Sequence, residues 1–308
     1  MRRQLTGMTE ASSPQALLAP SADVARSLLD LLQVTPKLHR LTALLAALPL
    51  VACLGSEGGE GPGAAMGGKA DGAGGGEPPE LAGDYALVVQ SEVEAVGPEG
   101  ERERWTTGML GLATISQQGE AALLEVRPCR VNLPRVGDSQ PSIDGDLFAT
   151  LPPVVTTGVA YYDDQGVAHL ATDPAALQLG LDLESPLSDQ LPTDDDDPAV
   201  VDHDNDGRPG ITVDVSVFGD IFTGARVIFS LVGGQDGSGR IAGETELDLD
   251  YEILGDSIPF VDARESAAEA SEDYQVVAAA DRFALVPLGQ TGLTCSEALA
   301  AGLDDITL

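Results

Sequence analysis

Two runs of strict alternation constrain this fold most. Residues 211–218 (Ile-Thr-Val-Asp-Val-Ser-Val-Phe) carry an apolar side chain at every second position. Further on, Thr245, Leu247, Leu249 and Tyr251 alternate with Glu246, Asp248, Asp250 and Glu252. A period of two belongs to a strand with one buried and one wet face; a helix repeats at 3.6. Residues 85–93, 105–117, 120–131, 225–232 and 282–288 read as further strands, and 158–162 and 167–171 as a pair. Gln118-Gly119 and residues 163–166 (Asp-Asp-Gln-Gly) supply hairpin turns between them, and 233–239 is a glycine-rich connection. The expected fold is all-β, an antiparallel meander of eight or nine strands closed into a barrel, lipocalin-like in one form, or folded as a sandwich. The absence of βα alternation argues against Rossmann-like and TIM-barrel folds. Trp105 reads as core and His169 as a structural strand residue; residues 263–271 read as a short helix or loop, and 296–301 as a short helix.

The strand-rich region starts near Leu81, and the chain before it is of another kind. Lys37, His39 and Arg40 form a short basic segment, followed by twelve largely apolar residues, 41–52, and then Cys53. That apolar run is shorter than the roughly 17–25 residues that span a bilayer and fits the apolar region of a signal peptide. Its end, Leu50-Val51-Ala52-Cys53, resembles the lipobox of bacterial lipoproteins. The resemblance implies cleavage before Cys53, acylation of its sulfur, and a membrane partnership through that lipid anchor. Leu54 stands where an Asp would signal inner-membrane retention, so the implied address is the outer membrane of the cell envelope. Thirty-six residues precede the basic segment, whereas such leaders begin within a few residues of it. Residues 1–36 are therefore read as an upstream extension, with an expected start at Val34. Residues 53–80 hold eleven glycines and cannot bury enough apolar surface to order themselves. They read as a tether of about 30 Å reach. The expected organisation is extension 1–36, signal peptide 37–52, lipidated Cys and tether 53–80, and an extracytoplasmic β-domain 81–308.

Lipidation of Cys53 leaves Cys129 and Cys295, an even pair in an oxidising compartment, for which a disulfide is expected. Asp202-His203-Asp204-Asn205-Asp206-Gly207 places three carboxylates at alternate positions with Gly sixth. The spacing resembles EF-hand-type calcium loops and the DxDxDG loops of dockerin and thrombospondin type 3 repeats. That resemblance implies Asp202, Asp204, Asp206 and the carbonyl of Arg208 as ligands of a weakly held calcium ion. It stops at the twelfth position, which is Val213 where a Glu closes the EF-hand. The closing carboxylate is then sought in Asp194 to Asp197, which otherwise reads as a solvated acidic run. Residues 173–200 read as a loop that folds back once calcium neutralises it.

The formal net charge of −34 repels phosphate and excludes nucleic acid as a partner class. No GxSxG, HExxH or GxxxxGK[ST] motif is present, so no catalytic residue is assigned. Two functions remain: a calcium-stabilised structural or interaction domain at the cell envelope, or a lipocalin-like binder of a small molecule or lipid. They differ in whether Phe218, Phe222, Phe229 and Tyr251 fill the interior or leave a cavity.

Overall fold

The computed structural model describes residues 77–303 except 97–99, 101, 134–139, 216–218, 260–261 and 266–274, with the backbone alone for 275–279. The expected extension, leader, Cys53, most of the tether and Phe218 lie outside the described residues. No helix among the described residues is long and apolar enough to cross a membrane.

The fold is all-β and antiparallel. Its strands are β1 (Gly83–Val96), β2 (Arg102–Gln118), β3 (Ala121–Asn132), β4 (Ser142–Ile143), β5 (Val154–Tyr162) and β6 (Ala168–Thr172), then β7 (Ala175–Leu179), β8 (Ile211–Asp214), β9 (Asp220–Gln235), β10 (Ile241–Asp256) and β11 (Gln275–Pro287). Among the described residues two short helices, α1 (Leu147–Thr150) and α2 (Cys295–Ala300), join them, and residues 263–265 are also helical. Eight strands pair in a closed ring in the order β10-β11-β1-β2-β3-β5-β6-β9, with β9 returning to β10.

The expected turns are in place: Gly119 adopts φ 63° between β2 and β3, and Gly166 φ 80° between β5 and β6. Three differences have physical reasons. Among the described residues the strands number eleven where eight or nine were expected, because β4 and β7 are too short to stand out as periodic runs. β7 exists because β9 is long, pairing along one edge with β6, β7 and β8 in turn and along the other with β10, and β4 exists because it pairs with β8. The glycine-rich connection is shorter than expected, since Gly233 and Gly234 belong to β9 and the turn is Asp236 to Gly239. A Cβ on Gly233 would lie 2.6 Å from the Ala242 carbonyl oxygen, and one on Gly243 2.1 Å from that of Val232. These glycines allow close approach of two backbones rather than a turn. Finally, β11 begins at Gln275, not 282, because its alanine-rich first half is held by register with β1 (Ala279 opposite Val93, Ala280 opposite Glu92) and not by its own propensity.

Leu87 and Val89 of β1 and Phe283 and Leu285 of β11 face the interior, where they join Phe229 and Leu231 of β9 in one cluster. On the outer face Ala86, Val88 and Leu110 pack against Ala298 and Leu303, beneath α2. Thr294 and Glu297 form a capping box that starts this helix. Cys129 on β3 and Cys295 at the first turn of α2 stand as a disulfide pair, Cα to Cα 5.2 Å, 166 positions apart in sequence. Trp105 is buried. His169 stacks on Tyr161, ring centroids 5.3 Å apart, with Nε2 3.1 Å from Asp163 Oδ2.

Candidate functional site

The acidic loop is delivered by a closed excursion of the chain. After β7, Leu181 and Val200 meet as a single bridge and Val201 N–H donates to the Gly180 carbonyl at 3.0 Å. The stretch read as a loop is thus β7 followed by a strap whose ends are joined by backbone hydrogen bonds. Arg226 holds the strap: Nη1 donates to the carbonyls of Pro186 (3.1 Å) and Asp189 (2.7 Å), and Nη2 pairs with Asp250. Asp194, Asp195 and Asp196 are exposed on it, as a solvated run should be, and take no part in the cluster of Asp202, Asp204 and Asp206.

Beyond the strap the chain makes the compact turn that the spacing implied. Asn205 (φ 59°) and Gly207 (φ 82°) sit in the left-handed region, which rotates successive carboxylates to the same side. Asp202 accepts from the N–H groups of Asp206 (3.1 Å) and Gly207 (2.9 Å), and Asp206 Oδ1 from Arg208 N–H (2.8 Å). One oxygen from each of Asp202, Asp204 and Asp206 lies within 4.8 Å of the others. Oxygens bound to one calcium at 2.3–2.6 Å are at most about 5 Å apart, so the donor set fits a hard divalent cation. Asp204 Oδ1 is sealed from solvent and has no hydrogen-bond partner. Burial pushes the Asp204 carboxyl above the ordinary carboxylate range; Asp202 and Asp206 push the same way, against the Thr212 N–H it accepts. Arg208 places its guanidinium over the Phe222 ring, 5.1 Å from the centroid. His203, inside the motif, is a strut: Nδ1 accepts from Gly180 N–H at 3.0 Å. Burial lowers its pKa against the pull of Asp182, Asp204 and Asp202, so it is neutral when it does so.

β8 connects this loop to the interior. The Thr212 N–H donates to Asp204 Oδ2 at 2.7 Å and its hydroxyl to Asp206 Oδ2 at 2.6 Å. Its neighbours Ile211 and Val213 turn the other way, into an apolar cavity of about 100 Å³. The same alternation on β9 puts Ile221, Thr223, Ala225, Val227 and Phe229 on the cavity and Phe222 on the loop side, so Phe222 is not among the side chains that could fill the interior. Phe229 and Tyr251 do line the interior without filling it. The cavity lies where β10 has left β11: the two pair only over Ile241–Glu244, and Leu247, Leu249 and Tyr251 follow on its wall. The signal for a cavity was present in the alternation, but which faces converge depends on the ring.

No protein-family model matches the chain, and no match is found among curated proteins or solved structures. Fold and loop together define a closed antiparallel β-domain with a three-aspartate cluster able to hold a metal ion.

Proposed function

We propose that the chain is a lipid-anchored protein of the bacterial cell envelope whose β-domain is stabilised by calcium at Asp202, Asp204 and Asp206, with a structural or interaction role at the outer membrane. The convergence of three carboxylates around the sealed, unpartnered Asp204 Oδ1 carries the cation reading. Calcium suits it because every ligand is oxygen and the loop is only partly closed, the pattern of extracellular modules with Kd near 10⁻⁴–10⁻³ M. Basic segment, apolar segment and Cys53 carry the anchor reading, and the Cys129–Cys295 pair accords with an oxidising compartment.

Thermal unfolding of the full chain tests the ion. At tenfold saturation calcium adds about 1.4 kcal/mol, a rise of roughly 3–5 °C, while magnesium serves as the control for screening. Asp204→Asn abolishes the response and has the opposite effect in chelator. The folded pKa of Asp204 lies above its unfolded value, so in the ion-free protein its contribution is fully present below the unfolded pKa and is lost as pH rises through the folded one. At pH 7 in chelator the Asn variant is therefore the more stable of the two. Equal shifts with calcium and magnesium, or a retained response in the variant, would reject the site.

The anchor has its own test. In a bacterial host, an alkyne fatty acid labels the wild-type chain and the protein pellets with membranes; Cys53→Ala removes the label and frees the protein. Equal membrane partition of both forms would exclude an anchor at Cys53.

A further inference from the structure

The cavity is walled by apolar groups, yet one polar atom in its lining has no partner. Thr107 and Thr223 also line it, but their hydroxyls donate to the carbonyls of Asn132 (2.7 Å) and Glu252 (2.8 Å). Ser91 is 1% exposed and its Oγ makes no hydrogen bond. Directly across the β1–β11 register from Ser91 stands Asp281, on the same face. Its Oδ1 is likewise sealed from solvent and unpartnered, and no basic side chain among the described residues pairs with it. Burial raises the Asp281 carboxyl, and the Ser91 side chain, which itself lines the cavity, pulls the other way. A buried hydroxyl and carboxylate oxygen without partners each cost free energy that a bound donor would recover.

We propose that the ring interior is a binding site for a small amphiphilic cation, a primary amine whose hydrocarbon body fills the apolar cavity and whose ammonium docks on Ser91 and Asp281. Three observations select this class. The apolar volume, about 100 Å³, suits a body the size of a short alkyl chain, being smaller than the engineered apolar cavities of about 150 Å³ that admit benzene. Both orphan atoms are oxygens able to accept, so a head with several N–H donors satisfies them together, where an alcohol offers one. The carboxylate is uncompensated in a chain of net charge −34, so a cation is drawn in and an anion repelled. The site does not depend on an ion in the acidic loop, and measurement in chelator separates the two readings.

Titration calorimetry of the full chain with n-pentylamine, pentan-1-ol and pentanoate, in chelator and at raised salt, is the test. Pentylammonium is expected to bind saturably at one site, at least tenfold tighter than pentanoate and tighter than pentanol. Asp281→Asn lowers its affinity at least tenfold, and Ser91→Ala several-fold, in proteins whose unfolding transitions show them folded. Leu249→Phe, which fills the cavity, removes binding of all three compounds; Val227→Phe does the same should the first variant fold poorly. Absence of saturable pentylammonium binding to about 10 mM, weaker than about −2.7 kcal/mol, overturns the proposal. So does binding that survives both Asp281→Asn and a folded cavity-filling variant, which would place the amine on the acidic surface.

Discussion

Replacing Cys129 and Cys295 together by Ser is expected to destabilise the domain by about 3–5 kcal/mol and lower its melting temperature by roughly 10 °C or more. The bond closes a loop spanning 166 positions, so in the unfolded chain it removes a large share of conformational freedom, about 5 kcal/mol in the loop-entropy description. It also fastens the first turn of α2 to β3, and α2 covers Ala86, Val88 and Leu110 on the outer face of β1 and β2. Loss of the bond therefore frees a helix of six residues, too short to persist on its own. Urea unfolding of wild type and variant, each with and without reductant, reads the effect. Reduced wild type should coincide with the variant, and the variant should ignore reductant. A difference below about 1 kcal/mol would mean that packing alone holds the helix in place.

Phe229→Ala is expected to cost about 3–5 kcal/mol, the range for a fully buried aromatic whose space does not collapse. Phe229 is 1% exposed, pairs with Ala175 of β7 on one side and Leu247 of β10 on the other, and borders the cavity. Truncation joins the vacated volume to space that is already apolar. If the interior binds amines, the preferred body lengthens, so n-heptylamine should gain on n-pentylamine in the variant. The denaturant midpoint measures the first effect and paired titrations the second. A cost under about 1 kcal/mol would show that the wall relaxes inward.

Much of this architecture is a matter of local chemistry. Alternation in β8 and β10, the turns at Gly119 and Asp163–Gly166, and the capping residues Thr294 and Glu297 each act within a few positions, so the sequence states them openly. The aspartate cluster is of the same kind, since Asp202, Asp204, Asp206 and Gly207 are neighbours whose spacing alone turns the carboxylates together. With Cys53 set aside by the lipobox resemblance, the pairing of the two remaining cysteines, Cys129 and Cys295, was legible too.

What the sequence left open depends on contacts across the ring. β4 and β7 have no period of their own and exist because β8 and β9 offer them unpaired edges. The first half of β11 is extended only because β1 holds it there. Phe222 and Phe229 are alike as sequence, yet an odd separation on one strand sends one to the acidic loop and the other to the interior. Ser91 and Asp281, 190 positions apart, become neighbours through register alone. A period of two shows that a strand has two faces; only closure of the sheet decides which face is inside, and hence where a cavity and its unpartnered oxygens meet.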